Sequence, residues 1–210
     1  MAQAVKGSVA ARMPRQPHWT SLLAGRVALV GLCYGTAAAH RLDEILQTSF
    51  LDIRPDAIRI ELNLTPGVSS FRALQSLLDV NQDGQVSPIE AEAYADLVRS
   101  QLSLQLDEGA LALRVTQWEF PNLTELQDGT GIIRFEMVAT FPAMRAGPHE
   151  IRFANHHLPT SSVYLVNALQ PETSLLTVQR QSRNEVQSQS RIQVIAGKPA
   201  RESTKASDTR

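Results

Sequence analysis

Twelve consecutive residues, 79 to 90, constrain this chain more than any other stretch: Asp-Val-Asn-Gln-Asp-Gly-Gln-Val-Ser-Pro-Ile-Glu. Oxygen-bearing side chains recur at alternate positions, Asp79, Asn81 and Asp83, and Gly84 follows them. A hard cation such as Ca2+ takes six to eight oxygens at ~2.3–2.6 Å, so a chain that holds one must wrap around it. Asp79, Asn81 and Asp83 offer side-chain oxygens along such a path, and Gly84 permits the left-handed backbone that turns it. Gln85 is expected to give its backbone carbonyl, Ser87 its hydroxyl or a water, and Glu90 both carboxylate oxygens.

Every specified place of the EF-hand pattern D-x-[DN]-x-[DN]-G-x5-E is therefore filled. The flanks agree. Ser69 or Ser70 can cap a helix with Phe71, Leu74, Leu77 and Leu78 on one stripe. A second helix is predicted from about Pro88 to Gln101, with Ala91, Tyr94, Leu97 and Val98 inward and Pro88 in the first turn, where a missing N–H costs little. A plain Asp/Asn/Gly turn seldom puts Glu at the last place with apolar helices on both sides. Val86 holds the apolar position that makes a β-bridge to a partner loop, yet no second loop with acceptable ligands is present. Asp128-Gly129 has Thr124 and Leu126 where ligands belong and reads as a hairpin turn. A lone loop predicts modest affinity, ~10⁻⁴–10⁻³ M, and structural rather than sensory calcium. No Met-rich groove suggests a switch.

Around this helix pair the pattern is β. Residues 57–64 alternate strictly, with Ile58, Ile60, Leu62 and Leu64 on one face and Arg59, Glu61 and Asn63 on the other. A strand over 47–54 precedes them, and Pro55-Asp56 supplies the turn. Beyond the second helix, Leu102, Leu104 and Leu106 lead into Asp107-Glu108-Gly109, with Leu111, Leu113 and Val115 resuming as a hairpin. Further strands are predicted at 132–141, 149–153, 162–166, 174–181 and 191–195. The expectation is a mainly β, sandwich-like domain over 40–196 with an EF-hand helix-loop-helix inserted at 69–101.

The ends differ from the middle. Lys6, Arg12 and Arg15 precede an apolar run from Leu22 to Leu32, interrupted by Arg26, and Ala37-Ala38-Ala39 closes it with a small-x-small cleavage pattern. Residues 1–39 thus read as a secretory signal peptide and predict a periplasmic or secreted protein. Leu32 before Cys33 argues against lipid attachment. Nothing after residue 40 is apolar for long enough to span a bilayer. Removing the four basic residues of 1–39 from the 20 in the chain leaves 16 against 21 acids, a formal charge of −5. An acidic domain with few aromatics is a poor nucleic-acid binder. Cys33 is the single cysteine, so disulfides and cysteine zinc sites are excluded from the rest. Residues 197–210 are polar and predict a disordered tail.

Other candidates for chemistry are weaker. Cleavage after Ala39 would expose an amine beside the His40 imidazole, a chelate for nickel, cobalt or copper that His149 could join. His156-His157 point to opposite faces if on a strand and read as a polar loop before Pro159. Glu119, Glu125 and Asp128 near Trp118-Phe120-Pro121 have no nucleophile or base at a telling spacing. No nucleophile elbow, phosphate loop or dinucleotide fingerprint is present, so no enzymatic activity is expected. Asn63-Leu64-Thr65 and Asn122-Leu123-Thr124 match the glycosylation sequon, a match common by chance.

Four stretches together resemble a group of bacterial exported proteins: residues 39–44 (Ala-His-Arg-Leu-Asp-Glu), residues 64–67 (Leu-Thr-Pro-Gly), the calcium loop, and residues 162–169 (Ser-Val-Tyr-Leu-Val-Asn-Ala-Leu). The likeness spans most of 39–182 and is similar to the extracytoplasmic region before the membrane helices of nickel/cobalt permease-like proteins of the hydrogenase and urease accessory type. The sequence lacks their membrane spans, so transport does not carry over, and no catalytic residues follow. The reading is an exported calcium-binding scaffold, whose expected partners are the calcium ion and another exported or membrane protein. The alternative is a periplasmic transition-metal binder using His40.

Overall fold

The structure is a computed structural model that describes residues 43–197. The expected signal peptide, Cys33, His40 and the tail from 198 onward lie outside those residues. Among the described residues there are two five-stranded sheets, and strand residues far outnumber helical ones. The mainly β expectation holds.

The first sheet begins with β1 (Ile45–Ile53) and β2 (Ala57–Pro66), antiparallel across the Pro55-Asp56 turn, where Arg54 N–H bonds the Ala57 carbonyl at 2.8 Å. Two helices follow, α1 (Phe71–Leu78) and α2 (Pro88–Ser100). β3 (Leu102–Leu106) and the two-residue β4 (Gly109–Ala110) then form a short hairpin in the second sheet. The predicted hairpin reaches Leu111, whose N–H bonds the Leu104 carbonyl at 2.8 Å, but its continuation through Leu113 and Val115 is not made. The chain instead crosses to the first sheet, where β5 (Arg114–Glu119) forms an edge.

A third helix, α3 (Leu123–Gln127), occupies the segment read as preceding a hairpin turn. Asp128 is its C-cap and Gly129, at φ +68°, follows in the left-handed conformation, so Asp128-Gly129 ends a helix rather than turning a hairpin. The remaining strands are β6 (Ile133–Thr140), β7 (Gly147–Asn155), β8 (Ser162–Ala168), β9 (Leu176–Arg183) and β10 (Gln189–Ala196).

Strand order in the first sheet is β5-β6-β2-β1-β8 and in the second β4-β3-β7-β10-β9. All pairings are antiparallel except β1 with β8, which run parallel from Ile45↔Ser162 to Leu51↔Ala168. Inward residues of both sheets, among them Ile58, Leu62 and Phe135 from one and Ile151, Phe153 and Ile192 from the other, belong to one buried cluster. Period-two alternation is what allows this, since each strand gives one face to the core.

The helical insert shares that core. Phe71, Leu74, Leu78, Tyr94, Ala95 and Val98 are all buried in it. Tyr94 stacks edge-on against Phe120, with ring centroids 6.1 Å apart, and contacts Phe135 at the same distance. Leu97, expected inward, is instead 37% exposed. α1 starts without the expected serine cap, because the Ser70 hydroxyl bonds the Gly67 carbonyl at 2.9 Å and makes no cap bond.

Candidate metal centre

α1 ends at Asp79, whose N–H bonds the Gln75 carbonyl at 2.8 Å. The Asp79 carboxylate is buried and turned into the loop. One oxygen accepts the Asp83 N–H and the other the Gly84 N–H, both at 3.0 Å. Gly84 lies at φ +83° with nothing within 4 Å of where a Cβ would stand. The need for glycine is therefore conformational, not spatial.

The next two side chains also fold back onto the loop backbone. Asn81 Oδ1 accepts the Asp83 N–H at 3.0 Å, and the Asn81 amide donates to Asp83 Oδ2 at 2.9 Å. Asp83 Oδ1 in turn accepts the Gln85 N–H at 2.9 Å. The two bonds to backbone N–H groups are the short side-chain-to-backbone bonds that Asn and Asp make in turns. Together they curl residues 79–85 around their own polar groups.

Ser87 and Glu90 close the loop. Ser87 is the N-cap of α2, its hydroxyl oxygen accepting the Glu90 N–H at 3.3 Å, while Glu90 Oε2 accepts the Ser87 N–H at 2.9 Å and its hydroxyl at 2.7 Å. Ser-x-x-Glu is thus a reciprocal capping box. Glu90 Oε1 reaches back to the N–H groups of Val80 at 2.9 Å and Asn81 at 3.3 Å. These donors, Ser87 foremost, hold the half-buried Glu90 carboxyl below its ordinary value.

All six predicted residues, Asp79, Asn81, Asp83, Gln85, Ser87 and Glu90, therefore sit in one connected turn. Their donor chemistry, oxygen throughout, suits a hard cation and not a soft one. Their arrangement is a different matter. Among the described residues no three Asp, Glu, His or Cys side chains converge as a ready metal cluster. The loop's own N–H groups use the oxygens a cation would need, Glu90 above all. Seating Ca2+ would require the Glu90 carboxylate to give up hydrogen bonds to Ser87 and Val80.

A second polar centre lies under α2, and sequence reasoning missed it. His157, read as part of a polar loop, is fully buried. Its Nδ1 faces Gln101 Oε1 at 2.6 Å, and its Nε2 lies 2.8 Å from the Tyr94 hydroxyl. An amide oxygen can only accept, so Nδ1 carries the proton and Nε2 accepts from Tyr94. The His157 carbonyl accepts from Gln47 and from the Tyr164 hydroxyl, both at 2.7 Å, and its N–H donates to Asn155 Oδ1 at 2.9 Å. Asn155 also donates to Gln47 Oε1 at 2.8 Å. Burial pulls the His157 imidazole down to about 4 and raises the Tyr94 phenol. One hint in the sequence was the polar Gln47 at an inward position of β1.

His149, the other histidine weighed as a metal ligand, has both ring nitrogens engaged. Nδ1 is 2.8 Å from Asp107 Oδ2 and Nε2 is 2.7 Å from the Arg145 carbonyl. Two acceptors call for two N–H donors, so this ring favours the charged form. The Arg145 carbonyl and then the Asp107 carboxylate raise its pKa. Compared with known proteins, the chain matches no family model, no curated protein and no solved structure.

Proposed function

We propose that the chain is an exported calcium-binding protein with a single EF-hand loop. Ca2+ would be held by Asp79, Asn81 and Asp83 through side-chain oxygens, Gln85 through its carbonyl, Ser87 through its hydroxyl or a water, and Glu90 through its carboxylate. The observation that carries the reading is that the loop closes on itself, with Glu90, the twelfth residue of the motif, standing against its opening residues Val80 and Asn81. An ion would take over the carboxylate oxygens that those N–H groups now hold. Because α2 buries Ala91, Tyr94, Ala95 and Val98, an ion fixed at its first turn would brace the insert against the sheets. The role is a structural one, within a scaffold for another exported or membrane protein.

Calcium titration calorimetry on the protein beside Glu90→Gln tests this. Wild type should bind one Ca2+ with Kd of ~10⁻⁴–10⁻³ M, and the variant should lose most of that heat. No heat and no shift in melting temperature at millimolar calcium would reject the reading.

A further inference from the structure

The outer face of the second sheet carries charge of the opposite sign to the domain as a whole. The inward positions of β7 and β10 are Ile151, Phe153, Ile192 and Val194. Alternation therefore puts Arg152 and Arg191 outside, and the register sets them directly opposite each other. Arg180 of β9 joins them, opposite Gln193 of β10. Glu150 is the one acid in β7, β9 and β10.

Like charges facing each other across neighbouring strands repel. Here Glu150 stands between the two, 2.6 Å from the Arg152 guanidinium and 3.6 Å from that of Arg191. A single carboxylate answers two guanidiniums, and both arginines stay about half exposed, at 48% and 59%. Their remaining N–H donors point to a further anion.

Beside the pair lies a shallow concavity of about 470 Å³. Ala154, small enough to leave room, is on its floor. Gln105, Ser182, Asn184 and Gln189 surround it, and none of the described residues that line it carries a carboxylate. Amides and hydroxyls of this kind exchange hydrogen bonds with sugar hydroxyls, while the planar guanidinium fork matches an oxyanion with two parallel N–H bonds.

We propose that this face binds a small hydroxylated oxyanion, a sugar acid or sugar phosphate, with Arg152 and Arg191 sharing its anionic group and the amide-lined hollow its hydroxyls. The site is separate from the loop at 79–90 and does not depend on calcium. Two-dimensional NMR and calorimetry with glucuronate and with glucose 6-phosphate test it, with glucose and inorganic phosphate as controls.

Either or both of the two anionic sugars should bind and shift the signals of β7 and β10, more weakly as salt is raised; which one binds tells a sugar acid from a sugar phosphate. Glucose should leave the spectrum unchanged. Arg191→Gln and Arg152→Gln should each weaken binding by about tenfold or more, the loss expected for a charge-assisted hydrogen bond, with circular dichroism unchanged. Arg59→Gln, on the outer face of the other sheet, should have no effect. Absence of binding by both anionic sugars overturns the proposal. So does a loss in Arg59→Gln equal to that in Arg191→Gln, or inorganic phosphate binding as tightly as glucose 6-phosphate.

Discussion

Two histidines in this domain are held in opposite charge states by what surrounds them. His157 is sealed among Tyr94, Gln101 and Asn155 with one nitrogen accepting, so a second proton would force the Tyr94 hydroxyl to turn from donor to acceptor and leave a buried charge. His149 sits between a carboxylate and a carbonyl, so losing a proton forfeits one of two bonds. The signs of the resulting stability changes are opposite. For His157 the folded pKa, about 4, lies below its ordinary 6.5. Its contribution is complete above 6.5 and is lost as pH falls toward 4. For His149 the folded pKa lies above 6.5. Its contribution is complete below 6.5 and is lost as pH rises through the raised value, less strongly because the site is partly solvated. Chemical denaturation from pH 4 to 9 should show a maximum near neutrality. His157→Gln should flatten the acid limb, and His149→Gln the alkaline one. At this scale the turn formed by residues 79–90 was legible, because a fixed spacing of Asp, Asn and Gly carries it. His157 was not, since its environment is assembled from β1, α2 and β8, which are far apart in sequence.

Strands and longer helices were legible as elements because burial imposes period on them. β2, β6 and β10 each alternate buried and exposed positions, and α1 buries Phe71, Leu74 and Leu78 at helical spacing. α3 was overlooked because five residues are too few to show a period. Its signal is local: Asn122 accepts the Glu125 N–H at 2.9 Å and Glu125 accepts the Asn122 N–H at 3.2 Å, a second capping box among the described residues. The helix ends against Gly131, whose N–H bonds the Glu125 carbonyl at 2.8 Å. A Cβ at Gly131 would stand 2.8 Å from Pro121 Cγ and 3.0 Å from the Leu126 nitrogen, the latter a backbone atom that cannot swing aside. Gly131→Ala should therefore cost ~1–3 kcal/mol, as overpacking does, read as a lower denaturant midpoint. Gly84→Ala differs in kind, since its strain is in φ alone.

For the whole molecule, the insert is not an appendage. Tyr94 touches Phe135 of the first sheet and bonds His157, which also meets Gln47 of that sheet and Asn155 of the second. Tyr94→Phe keeps the ring packing and removes one buried bond, stranding the His157 Nε2. A loss of ~1–3 kcal/mol is expected, seen as one cooperative transition at a lower midpoint, with the helical and β signals moving together. Two separate transitions would show that the insert melts alone. Sheet order was beyond the sequence, because it rests on pairings between segments that share no local signal.

The parallel pairing of β1 with β8 sets an order in time. Chains are made from the N-terminus, so β1 and β2 can join as a hairpin early, while the other side of β1 waits for residues 162–168. The Gln47–His157 bond spans 110 positions. Until that distance is closed, β1 remains an unpaired margin with Ile45 and Leu51 uncovered, a surface on which other chains could add. Pairings this remote close slowly, so the nascent domain passes through an interval in which one side of β1 is open to pairing with other chains.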